Sequence, residues 1–155
     1  MIYFAYGPDL NPSHMMERSP GYRSIGIARL ADCWIDFPRH SSGERSAVIS
    51  IVESPGSYVW GVLYDIRDED IPILDHVHGF DPDRPEDLND HVLREVTVQR
   101  PGHPKPVSAS TYVAVPDGRV SQPTASYLVQ IIDGARYHGL PKAYLGALQA
   151  VRTVS

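Results

Sequence analysis

The chain has little cysteine, no excess of positive charge and no long apolar run. Its 155 residues include a single cysteine, Cys33, which excludes an internal disulfide and a zinc ribbon. A formal net charge of −5 argues against a nucleic-acid partner. No window approaches the roughly 18 apolar residues that a membrane span needs, and no basic segment precedes the first apolar stretch. We therefore expect a cytoplasmic protein with neither a nucleic-acid nor a membrane partner.

The sequence does contain enough hydrophobic residues to form a core. Hydrophobic residues make up 42% of the sequence, which is typical of a globular protein, and the length suits one domain over residues 1–155. The sequence contains no internal repeat and no low-complexity linker that indicates a second domain.

The most informative segment is at the start of the chain, where a short apolar strand runs into a glycine turn. Residues 2–6 are strand formers, and Gly7-Pro8-Asp9 interrupts them. Asn11 followed by Pro12 is typical of a helix cap with proline in the first turn. Such a strand–loop–helix directs backbone N–H groups toward one point, which suits a carboxylate or a developing oxyanion. A tight turn with no chemical role is the alternative.

The rest of the sequence predicts strands, some of them in hairpins, and short helices. Pro55-Gly56 predicts a turn between two strands, and Pro123 and Gly139 bracket the clearest amphipathic helix. About six strands and three or four helices indicate the α+β class, a mainly antiparallel sheet or barrel with surrounding helices. The further predicted strands are 25–37, 47–52, 58–66, 92–99 and 107–115, and the helices are 68–78, 121–139 and 143–151. Residues 80–90 form an acidic loop, either a lid or a solvated insertion.

Several segments, taken in order, resemble the gamma-glutamylcyclotransferase-like family over nearly the whole chain. Residues 6–10 resemble its Tyr-Gly-Ser-Asn-Leu loop, and residues 59–64 resemble its Val-Trp-Gly-Val strand. Further matches are residues 28–32 with 36–37, residues 74–75, and, near the end, 126–127, 134–135, 139–141 and Tyr144. The resemblance implies the fold of that family, and it implies a small-molecule substrate.

The resemblance also implies a reaction. In that family the glutamyl group binds in a small cavity beside the glycine loop. Its own α-amine attacks its γ-carbonyl, so that 5-oxoproline forms and an amine or amino acid is released. Proximity of the two groups supplies much of the rate, and a glutamate shuttles the proton. We expect no cofactor, and the oligomeric state stays open, with a homodimer among the alternatives.

This sequence departs from the family pattern at the position of that glutamate, which is taken by His78. A neutral imidazole can accept and return a proton, so His78 is the candidate catalytic residue. The loop serine is replaced by Pro8, which has no N–H, and the loop asparagine by Asp9. The Asp9 carboxylate would repel an anionic substrate unless it points away or pairs with a cation. The predicted substrate-binding residues are Tyr6, Gly7, Pro8, Asp9, Leu10, His91 (in place of a family tyrosine), Tyr112 and Tyr127.

The sequence leaves three alternatives to a cyclotransferase reaction at His78. The cavity is repurposed for another lactam-forming or amide-cleaving step on a specialised metabolite, or the fold is a non-catalytic small-molecule binding module. The third alternative is a metal site built from His76, His78 and nearby Asp75, Asp81 and His91. Helical spacing argues against it, because His76 and His78 point to different sides of a helix. Candidate cations for a substrate carboxylate are Arg18, Arg23, Arg29 and Arg39.

Overall fold

A five-stranded sheet is the framework of the computed structural model, which describes residues 1–119 and 121–154. The strand order is β2-β3-β1-β5-β4, and β1 and β5 are the one parallel pair among these neighbours. This mainly antiparallel sheet with flanking helices confirms the α+β prediction. The strands are β1 (Ile2–Ala5), β2 (Arg23–Ser41), β3 (Ser46–Asp65), β4 (His91–Val98) and β5 (Val107–Ala114).

The helices flank the sheet and begin close to the predicted positions. The Asn11 side chain caps the first helix by accepting a hydrogen bond from the Ser13 amide, and Thr124 caps the third in the same way through the Tyr127 amide. None of the helices in the described ranges is long and apolar enough to cross a membrane. The helices are α1 (Pro12–Arg18), α2 (Ile71–Val77), α3 (Ala125–Tyr137) and α4 (Lys142–Gln149), with 3₁₀ turns at Pro8–Leu10, Asp68–Asp70 and Glu86–Leu88.

The hairpin predicted at Pro55-Gly56 is wrong. Residues 46–65 form one long strand, which pairs with β2 on both sides of this dipeptide. The extra residues form a bulge opposite Asp32, where the register shifts between Ala31 and Cys33. Gly56 has a φ of 82°, and its amide donates a hydrogen bond to the Asp32 carboxylate over 2.9 Å. The turn-forming dipeptide therefore forms a bulge within one strand and does not reverse the chain. As a result, the described sheet has five strands where about six were expected.

Helix α3 fixes the loop that follows β1. Gly134 lies so close to this loop that a Cβ atom there would be 2.5 Å from the carbonyl carbon of Leu10. The Nε2 atom of His138, at the end of α3, lies 2.9 Å from the Leu10 carbonyl oxygen and donates to it. The Leu10 side chain is fully buried in the core. These contacts hold the glycine turn between α3 and the sheet.

The acidic loop folds on itself. The Asn89 side chain accepts hydrogen bonds from the Asp81 amide and from the Arg84 guanidinium, each over 2.9 Å. Asn89 is buried, whereas residues 81–88 are exposed. Only the end of this loop approaches the cavity described next.

Candidate active site

A cavity of about 350 Å³ opens where β1 ends, beside the glycine turn. The other walls come from the ends of α1 and α2, the start of α3, parts of β3, β4 and β5, and the turn between β2 and β3. Most of the predicted site residues line it: Tyr6, Gly7, Pro8, Asp9, His78, His91, Tyr112 and Tyr127. Leu10 does not, because its side chain points into the core, and its position gives no support to a substrate-binding role.

His78 caps the end of α2 and holds its ring in one orientation. Its Nδ1 atom lies 2.8 Å from the Leu74 carbonyl oxygen. A carbonyl only accepts, so Nδ1 carries the hydrogen in the neutral ring and Nε2 presents a lone pair. Burial lowers the pKa of His78 below its usual value, and the nearby Asp9 carboxylate partly opposes this shift. At neutral pH the ring is therefore uncharged and able to accept a proton.

His91 is held by the same helix end. Its Nδ1 atom lies 2.9 Å from the His78 carbonyl oxygen, and the two imidazole rings meet edge to face with centroids 5.5 Å apart. Burial, together with the neighbouring His78, lowers the pKa of His91 to about 3. The cavity thus contains two neutral imidazoles, each with Nδ1 bound to a backbone carbonyl.

Asp9 is buried at the floor of the cavity, with only 3% of its side chain exposed. Its Oδ2 atom accepts a hydrogen bond from the Tyr3 hydroxyl over 2.6 Å, and its Oδ1 atom pairs with the Arg18 guanidinium. Of the two alternatives for this carboxylate, pairing with a cation is therefore the one observed, and the cation is Arg18. The same Oδ2 atom lies 3.6 Å from Nε2 of His78.

Aromatic side chains form one wall. The Tyr112 ring stacks on His78, and its hydroxyl donates to the Asp75 carboxylate over 2.6 Å. Asp75 and His78 therefore contact the same tyrosine. The Tyr127 hydroxyl accepts from the Ile49 amide over 3.0 Å, and the Tyr6 hydroxyl donates to the Tyr112 carbonyl. These bonds fix the shape of the cavity.

Arg39 is the cation at the cavity mouth. It donates to the Asp90 carboxylate over 2.9 Å and to the Val115 carbonyl over 3.0 Å, and about a quarter of its side chain, 24%, is exposed. Glu44, in the turn between β2 and β3, lies at the same mouth and is exposed. The other two candidate arginines lie elsewhere: Arg23 pairs with Asp65, and Arg29 lies over the Tyr58 ring.

Sequence reasoning missed Tyr3 and the turn at residues 41–44, both of which line the cavity. Tyr3 lies in the strand that leads into the glycine turn, and this placement was the available signal. The turn carries no motif that links it to a site far along the chain. The metal hypothesis gains no support, because no group of three His, Cys, Asp or Glu in the described residues is arranged to hold an ion. His76 is exposed on the opposite side of α2 from His78.

The comparisons with known proteins agree with this geometry. Residues 58–148 match the AIG2-like family. The gamma-glutamylcyclotransferase of Bos taurus is 30% identical over 97% of this chain and 78% of its own length, and that of Homo sapiens is 29% identical over the same shares. A solved structure of a gamma-glutamyl cyclotransferase superposes with a TM-score of 0.89 at 27% identity, over 100% of this chain and 89% of its own.

The chain therefore belongs to the AIG2-like family and has the gamma-glutamylcyclotransferase fold. Its relatives at this level of identity are enzymes, and they support an enzyme with gamma-glutamylcyclotransferase-like activity.

Proposed function

We propose that the chain converts a γ-glutamyl compound to 5-oxoproline, releases an amine or an amino acid, and uses His78 as its proton shuttle. One observation carries this proposal: His78 lines the cavity with its Nδ1 bound to a backbone carbonyl, which leaves an Nε2 lone pair 3.6 Å from Asp9 in the glycine turn. A group of this kind is what an intramolecular attack by an amine requires.

The reaction balances with His78 as the only shuttle. Its Nε2 atom takes a proton from the substrate's α-ammonium, and the freed amine attacks the γ-carbonyl carbon. The imidazole passes this proton to the leaving nitrogen as the tetrahedral intermediate collapses and the amide C–N bond breaks. It then carries the second proton from the former α-nitrogen, now in the ring, to the released amine. The α-nitrogen loses two protons in all and the leaving nitrogen gains two, so the imidazole returns to its neutral state. The fold contributes proximity, because the two reacting groups belong to one molecule.

We assign the backbone N–H groups of the glycine turn to hydrogen bonding with the oxygen atoms of the substrate. Gly7 and Asp9 supply backbone N–H groups at this turn, whereas Pro8 between them has none. Such amides stabilise a developing oxyanion without reorganising. Gly7 is required here, since a Cβ atom would lie 2.8 Å from the Ile49 side chain.

A panel of γ-glutamyl dipeptides and γ-glutamyl amines tests the proposal, with 5-oxoproline followed by mass spectrometry from pH 5 to 9. We expect product with at least one member and a loss of at least about a hundredfold in kcat/KM for His78→Ala. His76→Ala is the matched control, because His76 lies on the same helix but is exposed outside the cavity. Equal activity of the two variants would remove His78 from the mechanism.

A second candidate is another lactam-forming or amide-cleaving reaction in the same cavity, on a substrate with a cationic leaving group. The observation that favours it is the composition of the mouth, where Glu44 and Asp90 face a single arginine, Arg39. Turnover of cationic amides without turnover of any γ-glutamyl compound would favour this candidate over the first.

A further inference from the structure

Asp9 and His78 face each other with two proton acceptors and no donor between them. The Nδ1 atom of His78 already donates to the Leu74 carbonyl, so the Nε2 atom that faces Asp9 has only a lone pair. The two facing atoms are 3.6 Å apart and belong to largely buried side chains. A proton that arrives at Nε2 would convert this unfavourable pair into an ion pair.

The carboxylate is held in place for that role. Tyr3 donates to Oδ2, the atom that faces the imidazole, and Arg18 pairs with Oδ1. The Tyr112 ring, stacked at 3.9 Å, keeps the imidazole from rotating away. Neither the Asp9 carboxylate nor the His78 ring can therefore move away from the other without breaking these contacts.

We propose that Asp9 and His78 form one acid–base unit, in which the fixed carboxylate of Asp9 stabilises the imidazolium that forms when His78 takes the substrate's ammonium proton. The unit rests on the function proposed above, and Asp9 acts in it as a positioning residue, through His78. Two protons pass one after the other from the substrate's α-nitrogen to Nε2 and on to the leaving nitrogen, and Asp9 itself neither gains nor loses a proton.

The charges around His78 have opposite effects on its protonation. Asp9 favours the protonated ring, whereas Arg18 disfavours it and at the same time holds Asp9. The other titratable groups that face the ring are Tyr3 from β1, Asp75 from its own helix α2, His91 from β4 and Tyr112 from β5. None of these is changed in the variants that follow.

The first arm is an NMR titration of the His78 ring in the whole protein, which needs no substrate. We expect Asp9→Asn to lower the titration midpoint of His78 by about one pH unit and Arg18→Gln to raise it. A purely structural role for the Asp9–Arg18 pair would move neither midpoint, or would move both in one direction, and either result overturns the proposal. If Asp9→Asn does not fold, the upward shift in Arg18→Gln alone decides.

The second arm measures 5-oxoproline formation. His78→Glu alone places two carboxylates side by side, so we expect a loss of at least about a hundredfold in kcat/KM. Asp9→Asn added to it restores a single negative charge, and we expect at least about a tenfold recovery over His78→Glu. A double variant no better than His78→Glu contradicts the unit. Failure of the native protein to form product refutes the proposed function alone, since the titration still decides the unit.

Discussion

The imidazole of His78 lies flat against the phenol ring of Tyr112, with centroids 3.9 Å apart and planes within 3° of parallel. The stack joins the end of α2 to strand β5, two elements that the acidic loop and β4 separate along the chain. The hydroxyl of the same tyrosine binds Asp75, one turn earlier on α2. Tyr112 therefore fixes both the position of the helix and the orientation of the proposed base.

These two roles of Tyr112 are separable by substitution. Tyr112→Phe keeps the stack and loses the hydrogen bond to Asp75, so we expect a loss of about 1 kcal/mol in unfolding free energy and less than about a threefold loss in kcat/KM. Tyr112→Leu removes the ring, and we expect at least about a tenfold loss in kcat/KM because His78 is then free to rotate. Urea unfolding and 5-oxoproline kinetics measure the two effects. Full activity in Tyr112→Leu would show that the stack is not needed.

The stability of the protein should fall as the pH is lowered from 7 to 5. Burial holds the pKa of His91 at about 3, below its usual value near 6.5, so the unfolded chain binds a proton in this window and the folded chain does not. The stabilisation is complete above the unfolded pKa and declines below it. From His91 alone we expect a loss of about 2 kcal/mol between pH 7 and pH 5.

Substituting His91→Gln tests this assignment, because glutamine does not titrate in that range. We expect the variant to lose about 2 kcal/mol less than the native protein between pH 7 and pH 5, measured by urea unfolding at each pH. His103→Gln, in the exposed turn between β4 and β5, is the control and should keep the native slope. An unchanged slope in His91→Gln would mean that His91 is protonated in the folded state.

Sequence patterns located the local elements well because their signals are local. Asn11-Pro12 marks the start of α1, and the spacing of apolar residues marks α3 to within a few residues. Pro55-Gly56 misled because the same dipeptide can form either a hairpin turn or a bulge, and the choice depends on the partner strand. Asp32, whose carboxylate binds the Gly56 amide, belongs to that strand.

The site was predictable only in part, for a similar reason. The resemblance of residues 6–10 and 74–75 to one family predicts that the glycine turn and His78 lie beside one cavity. The resemblance does not predict which side chains the departing residues contact or which groups balance their charges. That Arg18 pairs with Asp9, and that Oδ2 of Asp9 faces Nε2 of His78, depends on how α1 and the end of α2 lie beside the glycine turn.

Arg39 should set the preference for the leaving group. It is the one arginine at the mouth among the described cavity-lining residues, since Arg18 is sealed against Asp9. We expect Arg39→Gln to lower kcat/KM about tenfold for a γ-glutamyl amino acid, whose leaving group carries a carboxylate. A γ-glutamyl amine without a carboxylate should be affected less than about twofold. Arg136→Gln, on the exposed face of α3, is the control, and equal losses for both substrates would refute a role in specificity.

Two helical glycines should respond to alanine in opposite directions. At Gly134 in α3, a Cβ atom would lie within 2.5–2.7 Å of Leu10 and Asn11, so the helix must move away from the glycine turn. We expect Gly134→Ala to cost about 2 kcal/mol and to reduce kcat/KM at least about tenfold, because the turn shifts with the helix. At Gly146 in α4 nothing lies within 4 Å, so Gly146→Ala should stabilise by about 0.5–1 kcal/mol with unchanged kinetics. Thermal unfolding and 5-oxoproline kinetics measure both variants. An active, stable Gly134→Ala would mean that the turn tolerates displacement, and its tight packing would then be unnecessary for the site.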